Sequence, residues 1–198
     1  MNQSIKTPDG TDRRTRRTES KEVRRQQLID ATITSIARHG IGGTTLSRVT
    51  EIAGLSLGIV NFHFKSKQNL FEETLVSLAQ EHHAQWRRAY DDAGLSAAEK
   101  LLAIVDAHFH PAICSPKKLA VWYAFFGEAG RRRVYRRLIE TIDMERYDLS
   151  LRLCEELARE SGGSAIPPRQ IANLRHPTCR AGPHASCAGR RVCRGVSK

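Results

Sequence analysis

The feature that most constrains the fold of this chain is a pair of very short amphipathic segments separated by a tight turn at Gly54. Leu46, Val49 and Ala53 share one helical face of the first segment, and Val60 lies on the apolar side of the second. Glycine permits the positive φ that a sharp turn between two helices requires. This pattern predicts a helix-turn-helix, a motif whose second helix lies in the major groove of DNA.

Helical periodicity continues through most of the remaining chain, and no segment alternates as a strand would. Several local signals mark helix ends: Gly40 offers a left-handed stop, Ser96 and Glu99 form a capping box, and Pro116 suits a first helical turn. The sequence therefore predicts an all-α fold with about seven helices.

We expect four successive regions. Residues 1–20 carry clustered arginines without an apolar period, which favours a flexible basic arm. Residues 21–67 hold the helix-turn-helix domain, and residues 68–172 form a helical domain for ligand binding and dimerisation. Residues 173–198 form a tail rich in cysteine and arginine that we expect to be disordered.

The net charge of +11 favours a polyanionic partner, because phosphate contacts release counterions. Six basic residues and no acid lie in 173–198, however, so the rest of the chain carries only +5. No apolar run is long enough to span a bilayer, the N-terminus is polar, and five cysteines are an odd count. We therefore expect a cytoplasmic protein with reduced thiols and no membrane partner.

The segment around the turn resembles the signature of TetR-family regulators. The matching residues, in order, are Thr44 and Thr45, Ala53-Gly54-Leu55-Ser56-Leu57-Gly58-Ile59-Val60, His63-Phe64-Lys65-Ser66-Lys67 and Leu70. The alternative interpretation is a helical hairpin that only packs, but this many positions in register make the resemblance specific.

The resemblance implies that the two threonines approach phosphates and that residues 56–63 enter the groove. It also implies that Lys67 binds a backbone phosphate, which suits a lysine at a helix N-terminus. The predicted DNA-binding residues are Thr44, Thr45, Ser56, Leu57, Gly58, Asn61, Phe62, His63, Lys65 and Lys67. Asn61 stands where the family usually has tyrosine, and asparagine bonds adenine bidentately, so we expect a different operator preference.

Two further stretches, residues 24–31 and 119–126, resemble the BetI-like branch of the family, which responds to choline. Trp122, Tyr123 and Phe126 could face a quaternary ammonium by cation–π attraction. The alternative is that this aromatic stripe at helical spacing belongs to the core.

No phosphate loop, nucleophile elbow or acid/base pair of carboxylates supports an enzyme, and no cofactor is predicted. We expect the histidines at 82, 83, 108 and 110 to be structural, since they lack partners at metal-ligand spacing. The arginine cluster within residues 131–137 is expected to be a solvated helix face.

The tail differs from the rest of the chain. The resemblance implies that residues 166–172 begin the first of two amphipathic helices of a dimer bundle, but helical periodicity stops there. Three hypotheses remain: a zinc knuckle formed by His176, Cys179, His184, Cys187 and Cys193, a native basic tail, or translation in a shifted frame after about Ala172. The last is favoured by the residue composition.

The sequence therefore predicts a TetR-family repressor that binds double-stranded operator DNA and is released by a small-molecule effector, choline or a related quaternary ammonium. A homodimer is expected for the family, while the altered tail argues against one here. The alternative is a defective regulator that keeps the DNA module without normal dimerisation.

Overall fold

The computed structural model describes residues 10–128 and 130–162, and all regular structure within these ranges is helical. The helices are α1 (Gly10–Gly43), α2 (Leu46–Ala53), α3 (Leu57–His63), α4 (Lys67–Asp91), α5 (Ala97–Phe109), α6 (Pro116–Gly127) and α7 (Arg132–Glu160). The predicted all-α class is confirmed. The hypotheses about residues 173–198 lie outside the described residues. Among the described helices, none is long and apolar enough to cross a membrane.

Helix α1 begins earlier than the sequence indicated. It starts at Gly10, so the prediction of a flexible arm over residues 1–20 is wrong for its second half. That half holds four arginines and one glutamate, which favour helix, and it has no apolar side chain that could create an apolar period. A search for amphipathic periodicity misses such a segment.

The other helix ends follow the local signals. Gly54 has φ 63° and closes α2, and Gly40 has φ 67° and kinks the end of α1. The Ser96–Glu99 capping box is formed at α5. Helix α6 starts with Pro116 after the N-cap Ser115, and it ends at Gly127, slightly before the predicted end at Gly130.

A first apolar cluster joins α1, α2, α3, the N-terminal half of α4, α6 and the start of α7. The predicted helix-turn-helix core residues Val49, Ala53 and Val60 all belong to it. Val121 and Phe125 of α6, both fully buried, complete the same cluster. The DNA-binding segment and the helical domain therefore share one core.

A second, smaller cluster joins the C-terminal halves of α4 and α7 to α5. Its buried members are Trp86, Ala97, Ile104, Leu149 and Leu153. Helices α4 and α7 each contribute residues to both clusters, so these two helices connect the two clusters.

Candidate DNA-binding site

Helix α3 is anchored on one side and open on the other. Val60 is fully buried, and the preceding turn is fixed by a bond from the Leu55 N–H to the Thr50 carbonyl oxygen, with an N···O distance of 3.0 Å. Phe62 is 69% exposed and Leu57 is 49% exposed, and Asn61 is exposed beside them. Phe62 lies on the side of α3 opposite Val60, and Leu57 and Asn61, which are one turn apart, lie between the two. This exposed side is the one that a major groove would meet.

Gly58 lies on the same outward face, and the fold does not require a glycine there. A Cβ at this position would meet only the Ser56 Oγ, at an ordinary 3.7 Å. Gly58 is not among the glycines with positive φ. Because glycine weakens a helix relative to alanine, its presence favours a role at the outer surface, where it allows a close approach of another molecule.

The two threonines before α2 differ in position. Thr45 is exposed and is the N-cap of α2, where its Oγ1 accepts a hydrogen bond from the Arg48 N–H at 3.2 Å. Thr44 is fully buried, where its hydroxyl donates to the Gly40 carbonyl at 2.8 Å and accepts from Ser35 Oγ at 3.1 Å. The phosphate contact implied for the Thr44 side chain is therefore not accessible in this structure.

The N-terminus of α4 lies next to α3 in the sequence and presents two lysines. Ser66 is its N-cap and accepts a hydrogen bond from the Asn69 N–H at 3.0 Å. Lys65 is exposed, and the Lys67 ammonium lies 5.2 Å from the centroid of the Phe71 ring. The ring restrains the lysine at a helix end whose partial positive charge already favours an anion.

His63 closes α3 on the side that faces α1. Burial lowers its pKa, and Lys21, Arg24 and Arg25 lower it further, while Glu22 opposes them. Its ring is half-buried and packs edge-on against Phe62, with centroids 5.1 Å apart. The imidazole is consequently neutral at pH 7, in contrast to the lysines nearby.

Three basic residues of this surface were not among the predicted site residues. The Lys21 Nζ lies 5.5 Å from the Phe62 ring centroid, and the Arg25 guanidinium lies 5.7 Å from that of Phe64. The exposed Arg48 donates to the Gly43 carbonyl oxygen. In the sequence, only the charge of these residues pointed to DNA binding, because nothing in the neighbouring residues shows that α1 passes beside α3.

The three aromatic residues proposed for a ligand cage do not converge on one space. Trp122 is 7% exposed and belongs to the first cluster, and its ring lies parallel to that of Phe126, with centroids 5.8 Å apart. Tyr123 is 60% exposed on another side of α6. The interpretation of this stripe as core therefore holds for Trp122, and no cage is formed by the three.

The histidines and the arginine cluster that the sequence analysis singled out form no further site among the described residues. His82 and His108 pack edge-on with centroids 4.7 Å apart, and the described residues contain no group of three or more potential metal ligands. Arg131, Arg133 and Arg137 are exposed, as expected of a solvated helix face.

A helical fold with an outward α3 beside basic residues defines a helix-turn-helix transcriptional regulator. The model of bacterial regulatory proteins of the tetR family matches residues 28–74. The HTH-type transcriptional regulator BetI of Paraburkholderia phymatum is 36% identical over 140 residues, which is 71% of this chain and 70% of that protein. The chain belongs to the TetR family, and within it the chain is BetI-like. Like these relatives, it is a regulator and not an enzyme.

Solved structures show the same fold. A Pseudomonas aeruginosa PAO1 protein assigned as a transcriptional regulator superposes with a TM-score of 0.66 and 28% identity, over 76% of this chain and 73% of that one. CprB from Streptomyces coelicolor, solved in complex with its biological operator sequence, gives a TM-score of 0.57 with 23% identity, over 77% of this chain and 74% of that one.

Proposed function

We propose that this protein is a cytoplasmic transcriptional repressor that inserts α3 into the major groove of an operator and leaves the DNA when a small ligand binds its helical domain. The observation that carries the proposal is the outward face of α3. A helix anchored by the fully buried Val60 exposes Asn61, Phe62 and a glycine without a structural role. The lysines at the start of α4 supply phosphate contacts beside this face.

The DNA-binding part of the proposal is tested by a gel shift with the DNA upstream of the protein's own gene. We expect a palindromic footprint and an affinity that falls as salt is raised. Lys67→Ala should weaken binding to all sequences and reduce the salt slope by about one. Arg137→Ala removes an exposed arginine on α7 and serves as the matched control, with no expected effect. Uniform binding that salt abolishes would indicate charge attraction alone.

For the ligand, we propose choline or a related quaternary ammonium. The similarity to BetI regulators over most of the chain supports this choice. Since ligand and DNA are thermodynamically coupled, each should weaken the binding of the other. Calorimetric titration with choline, betaine and betaine aldehyde tests the proposal, and the absence of heat with all of them would reject it.

A second candidate is a regulator that keeps the DNA module but lacks normal dimerisation. The acid-free, cysteine-rich residues 173–198 favour it, since nothing in them continues the apolar period of a bundle helix. A repressor gains affinity by tethering two recognition helices about 34 Å apart, so a monomer should bind a palindrome weakly.

Two measurements separate these candidates. Analytical ultracentrifugation that finds a tight dimer at micromolar concentration would reject the second candidate. The nucleotide sequence after codon 172 provides an independent test, because a shifted frame predicts that apolar helical periodicity reappears in another frame.

A further inference from the structure

A row of aromatic rings joins the N-terminal ends of α4 and α7. The Lys67 ammonium lies 5.2 Å from the centroid of the Phe71 ring. Phe71 packs edge-on against Phe125 of α6 with centroids 6.4 Å apart, and Phe125 packs edge-on against Tyr135 of α7 with centroids 5.0 Å apart. All three rings are buried. The row therefore connects the helical domain to the lysine for which we propose a phosphate contact.

This row of rings fixes positions along its length. Edge-on contacts are a preferred arrangement of aromatic pairs, and buried side chains are packed as densely as in an organic crystal. A displacement of Tyr135 is consequently passed through Phe125 to Phe71. The Lys67 ammonium rests on the last of these rings, so its position depends on α7 as well as on α4.

The hydroxyl of Tyr135 is a feature that ring packing does not explain. Tyr135 is fully buried, and within the part of the chain that the structure describes its hydroxyl has no partner at hydrogen-bonding geometry. An unpaired buried hydroxyl costs stability, and a phenylalanine would keep the ring contacts without that cost. The presence of tyrosine therefore favours a second role for this side chain.

Gln68, the second residue of α4, is the polar group that the hydroxyl can bond. It precedes Phe71 by three residues, so the two are neighbours on the surface of α4. Burial raises the pKa of the Tyr135 phenol, and the Gln68 amide, followed by Arg131, opposes the increase. The amide donates one N–H to Glu72 Oε1 at 2.6 Å, which leaves its other N–H for the phenolic oxygen.

From this arrangement we infer that Tyr135 is a positioning residue for the phosphate contact at the start of α4. Its ring holds Lys67 in place through Phe125 and Phe71, and its hydroxyl bonds the Gln68 amide when Lys67 is seated on a phosphate. A phosphate at a helix N-terminus holds the first turn of that helix, to which Gln68 belongs. The inference rests on the proposed function, since it names what aligns the phosphate-binding lysine.

Tyr135→Phe tests the inference, because it keeps the ring and removes only the hydroxyl. In a gel shift with the DNA upstream of the gene, at fixed salt, we expect Kd to rise about 2- to 10-fold, the usual net value of one hydrogen bond. In urea titration the variant should be at least as stable as the wild type, because an unpaired buried hydroxyl is lost. Tyr123→Phe, at a 60% exposed tyrosine of α6, is the matched control and should change neither measurement.

Two combined variants show whether Tyr135 acts through α4. Gln68→Met removes the amide and keeps the length of the side chain. If the hydroxyl bonds this amide, Tyr135→Phe should cause no further loss of operator affinity in the Gln68→Met background. In the Lys67→Ala background, Tyr135→Phe should weaken binding less than it does in the wild type, because the contact that it aligns is already missing.

Three results would overturn the inference: unchanged operator affinity in Tyr135→Phe, a clear loss of stability in that variant, or a loss of affinity that adds in full to that of Gln68→Met or of Lys67→Ala. If the wild type binds the upstream DNA and Tyr135→Phe binds it equally well, only this inference is rejected. A wild type that binds no upstream DNA would reject the repressor function, and this inference with it.

Discussion

The helix-turn-helix and the half of the molecule around the second cluster are both small apolar cores, but they place their polar groups differently. Around α3, polar and basic side chains such as Asn61 and Lys65 are exposed, and Thr45 and Ser66 satisfy helix ends. Around the second cluster, the Arg146 Nε and the Trp86 N–H are buried without hydrogen-bond partners among the described residues. The first arrangement leaves polar groups available to a partner that covers the surface, whereas the second keeps them inside the molecule.

The largest expected effect distinguishes the two cores. Phe125→Ala truncates a fully buried ring in the first cluster and should lower the free energy of unfolding by about 3–5 kcal/mol, as measured by urea titration. Operator affinity should fall as well, because the same cluster supports Val49 and Val60. Leu153→Ala, in the second cluster, should cost about 2–5 kcal/mol of unfolding free energy but should lower operator affinity less, because that cluster does not contain Val49 or Val60. Equal losses of DNA affinity would contradict this division.

The next effect concerns the exposed face of α3. Asn61→Ala should lose about 1–3 kcal/mol of discrimination at one operator position, since a bidentate contact to adenine would be removed. The measurement is a set of operators in which each base pair is replaced in turn. The exposed Gln80→Ala on α4 should keep the wild-type preference. An Asn61→Ala protein with unchanged base preference would exclude Asn61 as a base contact.

Gly58 gives a prediction in which stability and binding change in opposite directions. Gly58→Ala should raise the free energy of unfolding by up to about 1 kcal/mol, because alanine is the better helix former and its Cβ meets only Ser56 Oγ at 3.7 Å. The operator affinity should fall, because the new methyl group faces the groove. If the variant were less stable, or bound DNA as well as the wild type, Gly58 would have no role in close approach.

The smallest expected effect is a pH dependence of stability at His63, which is half-buried whereas the neighbouring Asn61 is exposed. Its pKa is lowered in the folded protein, first by burial and then by Lys21, so the unfolded state binds protons more readily below the ordinary value of 6.5. The contribution of His63 to the free energy of unfolding is therefore complete above pH 6.5 and declines as the pH falls below that value. Denaturant titrations of wild type and His63→Gln across pH 5 to 8 should show a shallower decline in the variant. Parallel curves would contradict the lowered pKa.

The sequence predicted the parts of this structure that depend on local chemistry. Gly54, the Ser96–Glu99 capping box and Pro116 act within one turn of the helix that they limit, so they could be identified from neighbouring residues alone. The same reason explains why the helix-turn-helix core was predicted correctly: its apolar residues recur at helical spacing within a short segment.

The features that the sequence could not supply depend on distant contacts. Thr44 is buried because its hydroxyl meets Ser35 on α1, and Trp122 is core because α6 packs against α1. Lys21 lies beside the proposed DNA-binding surface only because α1 passes next to Phe62. Arg146 lay in a stretch of many charged residues, and its burial becomes visible only once α4 and α7 are seen to pack together.

Helix α4 has a further mechanical consequence. It carries Lys67 at one end and Trp86 in the second cluster near the other, and at 1.5 Å per residue these two positions are about 28 Å apart. Along a stiff rod of that length, a tilt of about 5° imposed at Trp86 displaces the Lys67 end by about 2.5 Å, which is roughly the length of a hydrogen bond. Under the proposed repressor function, a tilt of this size on ligand binding would misalign the phosphate contact proposed for Lys67 without unfolding any part of the helix-turn-helix.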